Sequence, residues 1–205
     1  MHSDLQQLFE KTLKLEQSDL TYGSSLKGSN RLFAAFGKLF ADKFNPVFPV
    51  LPEQMVTGAG VGSLMDQLIA LVCDEGDSVL LAAPYYSGFD KDLGCRNGVT
   101  VLPVNLAAYE ALGSAETVDA FEAKLASLGP NDPKPSAVIL CNPHNPLGFC
   151  YTREAIIEYC KFAERHNLHL IVDESARDDI LFSLELMRFC SWYSLCSIDI
   201  PEQWY

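Results

Sequence analysis

Asn142-Pro143-His144-Asn145-Pro146-Leu147-Gly148, followed after a helix-length interval by Ile171-Val172-Asp173-Glu174, decides the reading of this chain. The apolar run Ala137 to Cys141 leads into the first stretch and Leu168 to Val172 into the second. Both runs read as buried strands, with a helix from about Arg153 to His166 between them. The polar groups therefore stand where apolar strands end. Two prolines fix the backbone of the first stretch so that an asparagine amide is held towards the sheet edge. Asp173 closes its strand at that same edge, where a carboxylate can pair with a protonated ring nitrogen or serve as a helix cap or surface acid. His144 reads as a loop residue, because a single histidine beside prolines has no second metal ligand at a suitable spacing.

Outward from this pair the chain alternates. A helix from about Val61 to Cys73 precedes the strand Ser78 to Ala82, and a short segment around Tyr85 to Leu93 precedes the strand Val99 to Val104. A helix from about Val118 to Leu128 then leads to the strand Ala137 to Cys141. Strands this apolar, separated by helices, predict a largely parallel sheet covered on both faces. Upstream, residues 4 to 16 show helical spacing, Ser29-Asn30 caps a second helix bearing Leu32, Phe33, Phe36, Leu39 and Phe40, and the Pro46, Pro49 and Pro52 stretch leads into a short strand, Gln54 to Thr57. Counting that strand, Asp173 closes the fifth. The expected division is an N-terminal helical segment over 1–53, an alternating α/β unit over 54–174 and a divergent tail over 175–205, which has neither clear alternation nor a helix cap.

Two further stretches fall at loop positions. Thr57-Gly58-Ala59-Gly60-Val61-Gly62-Ser63 lies between a predicted strand and a predicted helix, where small residues let backbone N–H groups approach an anion. As a dinucleotide fingerprint it fails, since Ser63 replaces the third glycine and no acid closes the strand Ser78 to Ala82. A plain tight turn into a buried helix is the alternative. Pro84-Tyr85-Tyr86-Ser87-Gly88-Phe89-Asp90 follows the next strand, and an aromatic there either stacks on a flat heterocycle or packs the turn. Four such stretches at one edge of one sheet point to a ligand more strongly than each does alone.

Composition narrows the partners. The formal charge of -12 repels phosphate backbones and anionic lipid, so neither nucleic acid nor membrane is expected. Seven cysteines, an odd number without a Cys-x-x-Cys pair, read as reduced thiols in a cytoplasmic protein. The opening residues are polar and amphipathic instead of an apolar leader, and no run reaches bilayer length. No metal site is expected.

These motifs, from about Leu20 to Glu174, resemble the class I/II aminotransferases, fold-type I pyridoxal-phosphate enzymes, and most of all the branch similar to 1-aminocyclopropane-1-carboxylate synthase. The specific parts are the Asn-Pro-x-Asn-Pro-x-Gly motif at 142 to 148 and His169-Leu170-Ile171-Val172-Asp173-Glu174. The resemblance implies a three-layer αβα large domain with an incomplete sheet and pyridoxal 5'-phosphate as cofactor. It implies that Ala59 and Gly60 bind the phosphate, that Tyr85 stacks on the pyridine ring, that Asn145 hydrogen-bonds the phenolic oxygen and that Asp173 keeps the ring nitrogen protonated. The substrate would be an amino acid, undergoing transamination or synthase-like elimination. The chain departs from the pattern at Ala176, where the family places a tyrosine, and its last lysine is Lys161, so the Schiff-base lysine is absent. The expectation is a chain truncated within the large domain and inactive alone, or a non-catalytic module that binds cofactor weakly, forms a homodimer or pairs with a full-length homologue.

Overall fold

The computed structural model describes residues 2–22, 25–44, 46, 48–106 and 113–175; the tail expected to diverge lies outside them from 176 onward. Helix α1 (His2–Thr12) and helix α2 (Asn30–Leu39) come first. α2 begins where its cap is: Ser29 is extended, and its hydroxyl accepts from the Leu32 amide at 3.1 Å. That bond satisfies one of the N–H groups a helix start leaves over. Phe33 is buried in α2, and Phe36, Phe40 and Phe44 follow as tilted ring pairs 6.5 and 5.4 Å apart.

Residues 54–57 do not join the sheet, contrary to the sequence reading. Pro52–Gln54 forms a 3-10 turn, in which Gln54 Oε1 accepts from the Leu51 amide at 2.9 Å and the Met55 amide donates to the Pro52 carbonyl at 3.1 Å. Proline is pre-organised for the first position of such a turn. Thr57 then donates both its amide and its hydroxyl to the Lys27 carbonyl, at 2.8 and 3.0 Å. The Thr57 N–H is thus taken by the N-terminal loop, and the Gln54 and Met55 amides by the turn itself.

The rest is the alternating unit: α3 (Val61–Val72), β1 (Ser78–Ala83), α4 (Phe89–Asn97), β2 (Thr100–Asn105), α5 (Thr117–Ala126), β3 (Pro135–Cys141), α6 (Arg153–His166) and β4 (His169–Asp173). The segment expected around Tyr85 to Leu93 is a helix shifted towards the C-terminus, ended by Gly98 in the left-handed conformation at φ 65°. All strand pairs are parallel, in the order β2-β1-β3-β4. Among the described residues Asp173 therefore closes the fourth strand, not a fifth.

Alternation along the strands sorts the core into two layers. Leu80, Ala82, Val138, Leu140 and Leu170 meet Val118 and Phe121 of α5 and Tyr159 and Phe162 of α6. Val79, Leu81, Ala137, Ile139 and Ile171 meet Met65 and Ile69 of α3 and Phe89 and Leu93 of α4. Helices on both faces of one sheet make the three-layer αβα arrangement. Right-handed crossovers explain which helix lies where. The chain moves one way from β1 to β2 and the other way from β2 to β3 and on to β4, so α4 lies on the opposite face from α5 and α6. The reversal leaves a switch point between β1 and β3, where open α/β sheets bind ligands beyond the strands' carboxyl ends.

Candidate functional site

Both strands that flank the switch point end in a proline loop. β1 runs into Ala83-Pro84, whose peptide bond is cis, and then into Tyr85. The Tyr85 ring is half-buried against the Phe89 and Leu93 layer, and its hydroxyl donates to Asp90 Oδ1 at 3.1 Å. Burial and then the Asp90 carboxylate push the Tyr85 phenol above its usual range, so the hydroxyl stays a donor. Asp90, in the first turn of α4, fixes the ring from behind, a role the sequence reading did not assign. Tyr86 is exposed, packs edge-on to Phe89 at 5.7 Å and leaves room at Gly88 for no side chain, since a Cβ there would collide with its ring.

β3 ends in the second loop, where Asn142-Pro143 and Asn145-Pro146 are both cis. Its two asparagines have different surroundings. Asn142 is buried: its amide donates to the Asp173 carbonyl at 2.9 Å, which continues the sheet ladder, and its Oδ1 accepts from the Tyr151 amide at 3.0 Å. Asn145 is exposed at the loop tip. The tip is closed by the His144 amide donating to the Phe149 carbonyl and the Gly148 amide donating to the His144 carbonyl, both at 2.7 Å. His144 is a loop residue, as the sequence suggests, but it is buried within the loop. Its ring is 4% exposed and stacked on Phe149 at 4.8 Å and 9°.

Asp173 lies beside Cys141 in the β3–β4 register, partly exposed. Its Oδ1 accepts from the Ser175 amide at 3.0 Å, and its Oδ2 lies 3.9 Å from the Cys141 thiol. Burial pushes that thiol up to about 11, so Cys141 is a neutral thiol and no nucleophile, its one proton within reach of the Pro143 carbonyl at 3.5 Å as well as of the carboxylate.

The fourth element is the start of α3. Gly60 caps it at φ 86°, a conformation that suits glycine, and a Cβ there would meet nothing within 4 Å. No side chain caps this helix, so its first N–H groups have no intrahelical acceptor. Ser63 does not supply one, because its hydroxyl donates to the Gly60 carbonyl at 2.9 Å. The open backbone at Ala59-Gly60 and the dipole of α3 therefore favour an anion. Gly58 lets the loop lie on α3: a Cβ there would come within 2.7 Å of Leu64.

α3 ends at the opposite edge of the sheet. Ala70 to Asp74, with Asp77, Lys134, Ser136 and His169, line a groove of about 320 Å³ at the amino ends of the strands. The start of α3, at the other end of this twelve-residue helix, thus points towards the carboxyl edge that holds Tyr85, Asn145 and Asp173. The groove offers no comparable chemistry. Burial and Asp77 push the Cys73 thiol up to about 11, and Asp77 is engaged by Ser136. Among the described residues no cluster of His, Cys, Asp and Glu could hold a metal ion, and no helix is long and apolar enough to cross a membrane.

Comparison with known proteins agrees with this arrangement. The family described as aminotransferase class I and II matches residues 3–175. Over 159 residues the chain is 37% identical to the aminotransferase verI of Clonostachys rogersoniana, a match covering 78% of this chain and 36% of that protein. It is 34% identical over 123 residues to 1-aminocyclopropane-1-carboxylate synthase 2 of Arabidopsis thaliana, covering 60% of this chain and 24% of the synthase. In fold it is similar to the PLP-bound C-S lyase of Staphylococcus hominis, with a TM-score of 0.60 at 20% identity over 84% of this chain and 39% of the lyase. The chain spans well under half the length of the relatives it matches.

Proposed function

The chain belongs to the class I and II aminotransferase family, and we propose that its carboxyl-edge loops hold pyridoxal 5'-phosphate, the cofactor of that family. Ala59 and Gly60 take the phosphate, Tyr85 the ring face, Asn145 the phenolic oxygen and Asp173 the ring nitrogen. One observation carries the reading. An uncapped helix start, a half-buried tyrosine braced by Asp90, an exposed asparagine on a closed loop and a partly exposed carboxylate all stand at the carboxyl edge around one switch point. The residues fit the group, since the helix start has unpaired N–H donors for a phosphate and the carboxylate has room for a cationic N–H. When bound, the cofactor supplies an electron sink for charge developing at the α-carbon of an amino acid. Asp173 keeps a proton on the ring nitrogen, Asn145 donates to the phenolic oxygen, and Tyr85 limits the ring to one plane.

At family level the substrate is an amino acid and the reaction transamination or an elimination of the 1-aminocyclopropane-1-carboxylate synthase kind. Within these 205 residues no lysine follows Lys161, and Lys161 itself pairs with Glu158 at 2.7 Å on α6. A lysine would be both covalent anchor and proton carrier in that chemistry. We therefore infer that the 205-residue chain binds the cofactor without turnover. The same lysine distribution favours a second reading, a non-catalytic module that works beside a full-length homologue.

Titration of the chain with pyridoxal 5'-phosphate tests this. Each hydrogen bond to a charged group contributes about 1.5 to 3 kcal/mol, so Asp173→Ala should weaken binding by roughly 10- to 100-fold, and Asn145→Ala by a similar or smaller factor. Borohydride treatment should label surface lysines at random. Unchanged affinity in both variants would sink the site, and stoichiometric capture by one lysine would sink the inference of inactivity.

A further inference from the structure

We propose that His144 is a positioning residue for the site: its buried ring, stacked on Phe149, braces the loop that presents Asn145, and because its surroundings accept only the uncharged imidazole, acid releases the loop and the cofactor with it. The inference rests on the reading of Asn145 as a cofactor contact.

The loop is held from inside. His144 spends both its backbone groups across it, the amide donating to the Phe149 carbonyl and the carbonyl accepting from the Gly148 amide, each at 2.7 Å. Between His144 and Gly148 stand Asn145, Pro146 and Leu147, all exposed. The His144 ring lies nearly parallel to Phe149, 4.8 Å away at 9°. Phe149 is itself held, since its ring fills the space at Gly113, where an added Cβ would come within 2.8 Å of it. The rings continue inward. Tyr151 is 5.3 Å from Phe149 and 6.1 Å from His144, and it meets the buried Tyr159 of α6 edge-on at 5.7 Å. Asn145 therefore stands one residue beyond a side chain anchored through packed rings to the core. An amide that must meet one oxygen of a ligand needs a backbone fixed to about 0.5 Å.

That anchor suits a neutral ring only. His144 is buried, and its Nδ1 has no hydrogen-bond partner among the described residues. A second proton would make both ring nitrogens donors and leave a charged Nδ1–H buried and unpaired, which costs more than the Phe149 face returns to a cation. Among the described residues no neighbouring group compensates it. The thiols of Cys141 and Cys150 and the phenols of Tyr151 and Tyr159 are raised above their ordinary values, chiefly by burial, and stay neutral. Of the charged groups on adjoining segments, Asp173 on β4, Glu116 before α5 and Arg153 on α6, none shifts the imidazole; burial alone depresses it. The closed loop is thus complete above the ordinary imidazole value and is lost as pH falls through the lower folded one.

Binding of 4'-deoxypyridoxine 5'-phosphate, which has no aldehyde to react with surface lysines, to the full 205-residue chain tests this. At pH 7.5 His144→Ala should raise the dissociation constant roughly ten-fold by loosening the loop, and His144→Phe, which keeps a ring on Phe149, should restore it to within about two-fold. Between pH 7.5 and 5.0 the wild-type constant should rise roughly five-fold more than that of His144→Phe, the ligand's own protonation being common to both. Amide exchange without ligand reads the loop itself. Protection of Gly148 should fall over this range in the wild type and persist in His144→Phe, while the Cys73 amide, bonded to Ile69 at the far end of α3, stays protected in both. Equal affinity of His144→Ala and wild type, parallel pH profiles, or loss of protection at Cys73 in step with Gly148 would each overturn the proposal. If the ligand binds at no pH while Gly148 still responds to His144, the cofactor reading fails and the brace stands; binding with parallel profiles is the failure of the brace alone.

Discussion

His144 carries the sharpest contrast between local pattern and environment. It sits between two prolines, yet its ring is buried, stacked on Phe149 and near Tyr151, with Nδ1 lacking any hydrogen-bond partner. Phe149, five residues on, was the one signal in the sequence that could have found this. Burial holds the His144 imidazole below its ordinary value. On acidification the unfolded chain then takes up this proton first, near its usual value of about 6.5. The stability due to the neutral ring is complete above that pH and is lost as pH falls through the lower folded value. His144→Phe keeps an aromatic on Phe149, does not titrate and removes an unpaired buried nitrogen. Urea midpoints should show the variant at least as stable as wild type at pH 7 and less sensitive to acid between pH 7 and 5; parallel pH profiles would contradict this. Gly60 is a different case, since space is plentiful around it but φ is 86°. Gly60→Ala should cost about 1 to 3 kcal/mol by urea unfolding, from the backbone alone, because φ 86° with ψ 162° is a region that essentially only glycine enters.

At the scale of elements, the contact between α5 and α6 lets magnitudes choose between two interactions a residue apart. Glu122 accepts from Arg165 at 2.6 Å and lies 2.7 Å from His166, and these partners hold its carboxyl below the usual carboxylate range. All three side chains are a third or more exposed, so the pair is worth little after screening and side-chain ordering. Phe121 is fully buried, with Tyr159 and Phe162 edge-on at 5.2 and 5.7 Å. Chemical denaturation should give about 3 to 5 kcal/mol of lost stability for Phe121→Ala and about 1 kcal/mol or less for Glu122→Ala. The reverse order would mean that charge, not packing, joins these helices. α6 itself is delimited at both ends, by Thr152 Oγ1 accepting from the Ala155 amide at 3.2 Å and by Asn167 in the left-handed conformation. Both ends agree with the sequence reading, as local hydrogen bonding predicts.

Across the whole molecule the apolar residues divide unevenly. The layers on the sheet bury Ile69, Leu80, Leu93, Val138, Leu140 and Phe162 completely, whereas Leu8, Phe9, Leu13, Leu15, Leu20 and Leu26 are each more than half exposed. α1 is eleven residues long, a length at which a helix without tertiary burial is marginal in water. Limited trypsin digestion should therefore cut after Lys11 and Lys14 well before Lys91, Lys124 or Lys161, which stand on helices packed against the sheet. Equal rates at all five lysines would show that α1 is as protected as the core.

The sequence by itself determined the alternation of strands and helices from Val61 to Asp173, the cap at Ser29, and the placing of Gly60, Tyr85, Asn145 and Asp173 beside strand or helix ends. Apolar runs, prolines and capping groups act over a few residues, so these features are local. The tertiary structure decided the rest. Thr57 bonds to Lys27 thirty residues away and stands outside the sheet, Asp90 and Gly88 shape the tyrosine loop, and His144 is buried. Among the described residues the order β2-β1-β3-β4 sets the switch point. Pairing partners and burial arise from contacts between residues far apart in the chain, and no local spacing encodes which of those contacts wins.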